Sequence, residues 1–466
     1  MAKDIKKEIT ESWKNRSGNV NTTPDILAWI KDLNANTCVN IEECDLEDCA
    51  SWYYDEAAGK VVSKSGKFFS ITGMRRVTDG EIAFEQPVII QPEIGYLGIL
   101  CANIDGVLNF LMQAKIEPGN VNCVQISPTI QATRSNFMRV HGGRTPDYLE
   151  IFANREGCTT VYDRTQSEQG SRFYRKRNRN IILKLDDDKV QDFEVGSRFK
   201  WMTLGQIKEL MKEDNLVNMD TRTVLSGLPI EAGELGEGYL EKIYQKINDF
   251  RMFHDSYVEE IPLPELDGWD VSGHGVEYNG DADFMVRYYQ IEIEGREVRK
   301  WDQPLFKAAG MATFGLISRE KGGRTEYLIR LKPEIGCFDM AEWGPSVQWE
   351  PTKDPADDNA VDRFFREKIG SKTGIADEDV RGKAGADARD DKDADSGILT
   401  DVILSEEGGR FYHEQNRNLI IGIGEDELAD IPDDYEWADL ATLSHMIRNG
   451  SDANIQLRDL VSLIDF

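Results

Sequence analysis

Ser405-Glu406-Glu407-Gly408-Gly409-Arg410-Phe411-Tyr412, followed by Asn416-Arg417-Asn418-Leu419-Ile420, restates an earlier stretch of the same chain. That stretch is Ser167-Glu168-Gln169-Gly170-Ser171-Arg172-Phe173-Tyr174, followed by Asn178-Arg179-Asn180-Ile181-Ile182, 238 residues upstream. Further toward the N-terminus, Trp52, Gln86-Pro87, Lys115, Glu117, Gly119, Pro128 and Gln131 recur as Trp269, Gln303-Pro304, Lys332, Glu334, Gly336, Pro345 and Gln348, always 217 residues apart. Self-similarity at fixed spacing predicts a duplicated unit, and the widened spacing puts one insertion in the second copy. The predicted division is an N-terminal helical arm at 1–51, a first repeat at 52–228, a helical connector at 229–268 and a second repeat at 269–466. The second repeat carries an acidic insertion at about 353–396.

Each repeat reads as α+β. Segments 67–71, 96–100 and 107–112 are short and rich in aromatic or aliphatic residues, and Asp105-Gly106 between the last two predicts a hairpin. Trp201 and Trp437 lead into helices in which Leu204, Ile207, Leu210 and Met211 match Leu440, Leu443, Met446 and Ile447 at helical spacing. The expectation is a mixed sheet with helices in each unit, not an alternating βαβ chain. Thr23-Pro24 ahead of Ile26, Trp29, Ile30 and Leu33 predicts a capped amphipathic helix, and Tyr239, Ile243 and Ile247 predict another in the connector. Residues 353–396, rich in Asp and Ala, predict a mobile surface loop.

A formal net charge of −29 opposes binding to nucleic acid or to an anionic membrane. The longest apolar run, 94–102, is too short to span a bilayer, and the basic residues near Met1 have no apolar run behind them. Seven cysteines without a CxxC pair fit a reduced, cytoplasmic protein. The five histidines are scattered, and neither a P-loop, GxGxxG, GxSxG nor HExxH occurs. No metal and no nicotinamide or flavin cofactor is expected.

The chemistry concentrates between Gln113 and Gly143. Gln125, Ser127, Thr129, Gln131 and Thr133 alternate, so on a strand they share one face. A run of Thr133, Arg134, Ser135, Asn136, Phe137, Arg139 and His141 follows, and hydroxyl and amide groups of this kind suit a sugar.

The run 93–143, together with 166–180, resembles the NDP-hexose 2,3-dehydratases of deoxysugar biosynthesis. The resemblance spans nearly the whole chain, and its EPGN-type (117–120) and QATRSN-type (131–136) strings are specific to that family. It implies two tandem Nudix-like modules, a homodimer, and a dTDP-4-keto-6-deoxyhexose substrate that loses its C2 hydroxyl as water. The Nudix box itself is missing from both copies, so pyrophosphatase activity is not implied. The reaction needs a base, a partner for an enolate oxygen and an acid for the leaving group. His141 is the first choice for base or acid, because its ordinary pKa lies near working pH. Glu117 is the rival base, Lys115, Arg134 and Arg139 offer positive charge, and Tyr148 or Ser135 offers a proton relay. Glu117 and Lys115 recur as Glu334 and Lys332, so a purely structural role stands beside the catalytic one. His141 has no counterpart, which places the chemistry in the first repeat.

For the nucleotide, Trp52 and Trp269 offer stacking or core packing. Ser171-Arg172 and Gly408-Gly409-Arg410 suit a pyrophosphate, with tight surface turns as the alternative. Binding by the second repeat is weakened by its divergent Pro333-Glu334-Ile335-Gly336-Cys337 string. A silent nucleotide-sugar binding protein is the other functional reading.

Overall fold

The computed structural model describes residues 5–133, 145–296, 298–370 and 397–466. His141, Arg134, Ser135, Asn136, Phe137 and Arg139 lie outside the described residues, as does most of the acidic insertion.

Strand and helix alternate irregularly, giving a mixed α+β fold with four sheets among the described residues. The predicted hairpin forms: Asp105 and Gly106, both with positive φ (51° and 85°), join strands Gly95–Ile104 and Val107–Ile116. Positive φ at both turn residues matches the twist of the flanking strands, which is why Asp-Gly serves there. These two strands anchor a seven-stranded sheet with Cys158–Ser167, Arg177–Leu185 and Phe199–Thr203. In the second half, Ala312–Lys321 and Arg324–Pro333 anchor another seven-stranded sheet of matching order. Both sheets combine parallel and antiparallel pairing: Arg177–Leu185 lies parallel to Gly95–Ile104, as Gln415–Ile423 does to Ala312–Lys321.

Two six-stranded sheets take strands from both halves, and here the order of the chain departs from the predicted divisions. The strand Val39–Cys44, inside the arm, pairs with Phe284–Ile293 of the second half, from Val39 opposite Ile293 to Cys44 opposite Tyr288. The strand Ser256–Ile261, inside the connector, pairs with Ser70–Thr78 of the first half, from Ser256 opposite Thr78 to Ile261 opposite Gly73. Arm and connector are therefore not helical linkers alone; each gives a strand to the other half's sheet. Such edge pairing satisfies a row of backbone donors and acceptors that would otherwise face solvent.

The six-stranded sheets share one core, in which Trp52, Phe69 and Phe173 pack with Phe284, Phe306 and Phe411. A second core lies under the first seven-stranded sheet. It takes in Ile9, Ile26 and Ile30 from the arm, the closing-helix residues Leu204, Ile207, Leu210 and Met211, and Tyr289, Ile291 and Leu305 from the second half. The helix Thr23–Asn36 begins as expected, with a Thr22–Asp25 capping box and Pro in its first turn. The connector helix runs Tyr239–Phe253 and buries Ile243 and Ile247.

The insertion is not all loop. Ala360–Gly370 is a helix whose Val361 and Phe365 enter the core around Trp349, while the Asn359 side chain accepts the Asp362 N–H at its start. Apolar residues four apart give that stretch a helical face that acidic composition alone conceals. Among the described residues, no helix is long and apolar enough to cross a membrane.

Candidate active site

Two glycines let the halves close on each other. The Gly119 N–H donates to the Gly408 carbonyl at 2.7 Å, and the Gly336 N–H donates to the Gly170 carbonyl at 2.7 Å. A Cβ on Gly119 would sit 1.5 Å from the Phe411 carbonyl oxygen, and one on Gly336 would sit 1.7 Å from that of Phe173. No side chain fits either place, which explains the glycine at both positions. The repeated Gln-Pro dipeptides support the same turns: Gln86 donates to the Ser171 carbonyl, and Gln303 to the Gly409 carbonyl at 2.7 Å.

The first of these contacts seats the turn 407–410 against the end of strand Val107–Ile116. A cavity of about 740 Å³ opens between them, within the roughly 300–1,000 Å³ typical of small-molecule sites. Its first-half wall includes Tyr96, Lys115, Glu117, Gln131 and Thr133; its second-half wall includes Arg296, Trp301, Glu407, Gly409 and Arg410. Glu168, Lys176 and Asp220 complete the polar lining.

The polar strand face turns inward, not to water. Gln125 donates to Ser405, Thr129 to the Leu111 carbonyl, and Asn218 to both Ser127 (2.9 Å) and Gln131 (3.1 Å). Lys115 and Glu117 pair at 3.1 Å, and Arg296 reaches the same Glu117 carboxylate at 3.0 Å. The Lys115 ammonium also donates to the Gln131 carbonyl at 2.7 Å. A cation and a carboxylate are thus fixed side by side in a largely buried wall, where their fields act at low dielectric.

Other groups there sit far from their ordinary protonation. Burial raises Glu168 to about 7, against the pull of Lys176. Burial lowers Lys176 to about 8, against the pull of Glu168. Asp220 is raised well above the usual carboxylate range by burial, reinforced by Glu168 and Glu407. The Arg410 guanidinium lies over the Phe69 ring, 4.3 Å from its centroid, and donates to the Gly409 carbonyl at 2.7 Å. Perturbed groups converging in one cleft mark a candidate site on physical grounds.

Of the residues singled out from sequence, Lys115, Glu117, Trp52, Thr133, Gly409 and Arg410 line this cavity. Trp52 does so from the core: it is 1% exposed, and its indole N–H donates to the Asp302 carbonyl at 2.8 Å. Gly408 serves through its carbonyl, as above. Four other residues stand elsewhere. Tyr148 packs on Phe193 and Phe199 and donates to the Glu194 carbonyl at 3.0 Å, because its neighbourhood is an aromatic cluster under the first seven-stranded sheet. Trp269 packs on Tyr278 and Phe284. Ser171 accepts Gln86 through its backbone, and Arg172 is held by Glu350 at 2.9 Å and by the Phe284 ring.

At the matching place in the second half the carboxyl groups take side-chain partners, although one oxygen each of Glu334 and Glu414 has none among the described residues. Gln348 donates to Glu334 at 2.7 Å, and Gln169 and Asn416 both donate to Glu406. Here Glu414 stands where the first half has Lys176, and Gln456 where it has Asp220.

Sequence reading passed over Asp220, Glu168, Lys176, Arg296 and Glu407. A signal existed for two of them. Lys176 against Glu414 is a reversal of charge inside the repeated segment, and Asn218-Met219-Asp220-Thr221-Arg222 differs from Asn454-Ile455-Gln456-Leu457-Arg458 at the acidic position. Arg296 comes from a stretch with no repeated motif, so only the fold brings it in.

Comparison with known proteins places the chain in a family. The family model described as NDP-hexose 2,3-dehydratase matches residues 23–228, 240–380 and 386–464. A dTDP-4-dehydro-6-deoxy-alpha-D-glucopyranose 2,3-dehydratase of Streptomyces violaceoruber is 36% identical over 462 residues, covering 96% of this chain and 97% of its own. A protein of the same name from Amycolatopsis orientalis is 35% identical over 456 residues, covering 95% of this chain and 90% of its own. Among solved structures, a C. elegans Ap4A hydrolase aligns with 28% of this chain and 80% of its own at 14% identity, with a TM-score of 0.16. A score that low carries no argument about the fold. The whole-length matches do: the chain belongs to the NDP-hexose 2,3-dehydratase family.

Proposed function

We propose that this protein is a hydro-lyase that removes water across C2 and C3 of a dTDP-4-keto-6-deoxyhexose, giving a 3,4-diketo-2,6-dideoxyhexose nucleotide. The C4 ketone acidifies the C3 proton, and a base removes it to leave an enolate. The enolate electron pair then moves toward C2 and expels its oxygen, and the resulting enol tautomerises by taking a proton at C2. Enolate charge calls for a preorganised cation or donor at the ketone oxygen, and Lys115 is assigned that part. Glu117, flanked by Lys115 and Arg296, is assigned the C3 proton, with His141 the alternative from sequence. Arg410 and Gly409 are assigned to the pyrophosphate, since a guanidinium beside small residues suits bidentate contact with phosphate oxygens.

The observation that carries this reading is the Lys115–Glu117 pair facing Arg410 across one cavity, in a chain that matches the family along its length. The reading extends to two modules descended from one Nudix-like unit, with matching strand orders as support. It also places the protein in the cytoplasm as a homodimer; seven unpaired cysteines agree with the compartment, and light scattering tests the dimer.

The test is incubation with dTDP-4-keto-6-deoxyglucose in D2O, with a 3-ketoreductase present to trap the unstable diketone. Mass spectrometry should find the loss of one water and deuterium at C2. Tight dTDP binding without any turnover would instead leave a nucleotide-sugar binding protein.

A further inference from the structure

Asp220 is unusual among the described carboxyl groups. It lies in the helix Met219–Leu225, which Asn218 caps by accepting the Thr221 N–H at 2.9 Å. It is 1% exposed, yet it lines the cavity. Neither of its carboxyl oxygens has a hydrogen-bond partner among the described residues. Leaving a buried polar group without a partner costs roughly 1–3 kcal/mol, and more when it is charged. Native structures tolerate this where a ligand supplies the missing partner. The charges acting on it are Glu168, which follows the strand Cys158–Ser167, Glu407 from the second half, and Lys115 and Glu117 at the end of Val107–Ile116. Three of these four are carboxyl groups, so a proton on Asp220 avoids adding a negative charge beside them in a dry wall. At the matching position the second half has Gln456, a neutral amide of similar reach.

We propose that Asp220 is the acid that gives its proton to the C2 oxygen as that oxygen leaves the sugar. The assignment rests on the dehydratase reading above. In this step the C2–O bond breaks and the enolate pair re-forms the C4 carbonyl while a double bond forms between C2 and C3. The departing oxygen takes the Asp220 proton and leaves as water. Asp220, now a carboxylate, is reprotonated from solvent, and the proton taken from C3 by the base is released to solvent, so each turnover closes without an outside reagent. Hydroxide is a poor leaving group, and a positioned acid typically contributes about 10²–10⁴-fold.

The experiment compares the wild type with Asp220→Asn and Asp220→Ser, using whichever variant melts within a few degrees of the wild type. Three readouts are taken: loss of water from dTDP-4-keto-6-deoxyglucose, exchange of the C3 proton with D2O, and fluoride release from the 2-deoxy-2-fluoro analogue, whose leaving group needs no proton. The expected result is a fall in water loss of at least about 10²-fold, with C3 exchange retained and fluoride release within about tenfold of the wild type. Water loss within about threefold of the wild type overturns the proposal. So does an equal fall in water loss and fluoride release, because that pattern belongs to a structural residue. If the wild type itself releases no water, the dehydratase reading fails, and that outcome is separate from either variant's behaviour.

Discussion

Phe173 and Phe411 meet edge to face with ring centroids 5.9 Å apart. They hold the same place in the two repeated segments, so the corresponding residues of the two halves touch at the centre of the molecule. Around them the contacts are reciprocal. Arg410 lies over Phe69 and Arg172 over Phe284. Arg222 donates to the Ser405 carbonyl at 3.1 Å, and Arg458 to the Ser167 carbonyl at 2.5 Å. With the strands Val39–Cys44 and Ser256–Ile261 exchanged as well, neither half owns a complete six-stranded sheet. Residues 1–255 and 256–466 produced separately should therefore be insoluble or molten, whereas co-expression should give a one-to-one complex with activity. Two independently folded, monomeric halves with sharp melting transitions would contradict the exchanged arrangement.

Trp52 separates packing from binding. Its ring is enclosed by Phe68 and Phe69, at 5.8 and 4.6 Å, and its N–H is satisfied. Trp52→Ala should destabilise the protein by about 3–5 kcal/mol, the usual range for a buried tryptophan. Affinity for dTDP in the folded fraction should stay within about threefold, since the ring's contacts are mostly with the core. Calorimetry of melting and of dTDP binding on the same sample checks both, and a large loss of affinity without a loss of stability would make the ring a nucleotide platform.

Arg410 and Arg172 occupy equivalent sequence positions but different surroundings. Arg410 faces the cavity; Arg172 is consumed by Glu350. Arg410→Ala should weaken dTDP-sugar binding by about 10- to 100-fold, the scale of one lost charge-assisted hydrogen bond. Arg172→Ala should leave affinity unchanged and lower the melting temperature, because Glu350 loses its partner. Equal losses of affinity would mean that both positions bind nucleotide.

The repeated strings mark residues tied to the backbone: Gly119 and Gly336 have no room for a Cβ, and Gln86 and Gln303 each hold a turn. The helices at 23–36, 204–210, 239–253 and 440–449 were legible from apolar spacing, and the hairpin from Asp105-Gly106. The exchange of Val39–Cys44 and Ser256–Ile261 was not, since strand partners far apart in sequence leave no local mark on either segment. The different surroundings of Arg172 and Arg410 were hidden for a related reason. The motif is shared, but Glu350, from outside it, decides which arginine stays available. Asp220 went unseen because a carboxyl group in a seven-residue helix looks like any first-turn acid until its burial is known.

Stability should fall as pH rises through the weakly acidic range. Burial raises Glu168, Glu342, Glu414 and Asp459 to about 7. Between their unfolded values, near 4, and about 7, the folded chain keeps protons that the unfolded chain has lost, so raising pH favours unfolding. Self-repulsion at a net charge of −29 acts in the same direction. The opposite sign applies to Lys176 and Lys208, lowered by burial to about 8, which favour folding as pH rises from there toward 10.5. Melting temperatures in one buffer series should thus be several degrees higher at pH 5.5 than at pH 7.5. A flat profile across that interval would show that these carboxyl groups are ionised and solvated in the folded protein.

The base is decided by three substitutions. His413 stacks on Tyr412 and its backbone N–H donates to the Gly119 carbonyl at 2.9 Å, so it holds the turn between halves and does not line the cavity. His413→Ala should be mild in turnover. Glu117→Gln keeps the shape of the side chain but removes the charge that Lys115 and Arg296 share. If Glu117 takes the C3 proton, this variant should lose both dehydration and C3 exchange in D2O by about 10²–10⁴-fold. His141→Ala should then keep C3 exchange. If His141 is the base, the pattern reverses: His141→Ala abolishes exchange while dTDP binding is preserved, and Glu117→Gln retains it. Exchange is the deciding readout because it requires only the base and the enolate, and not the departure of the C2 oxygen.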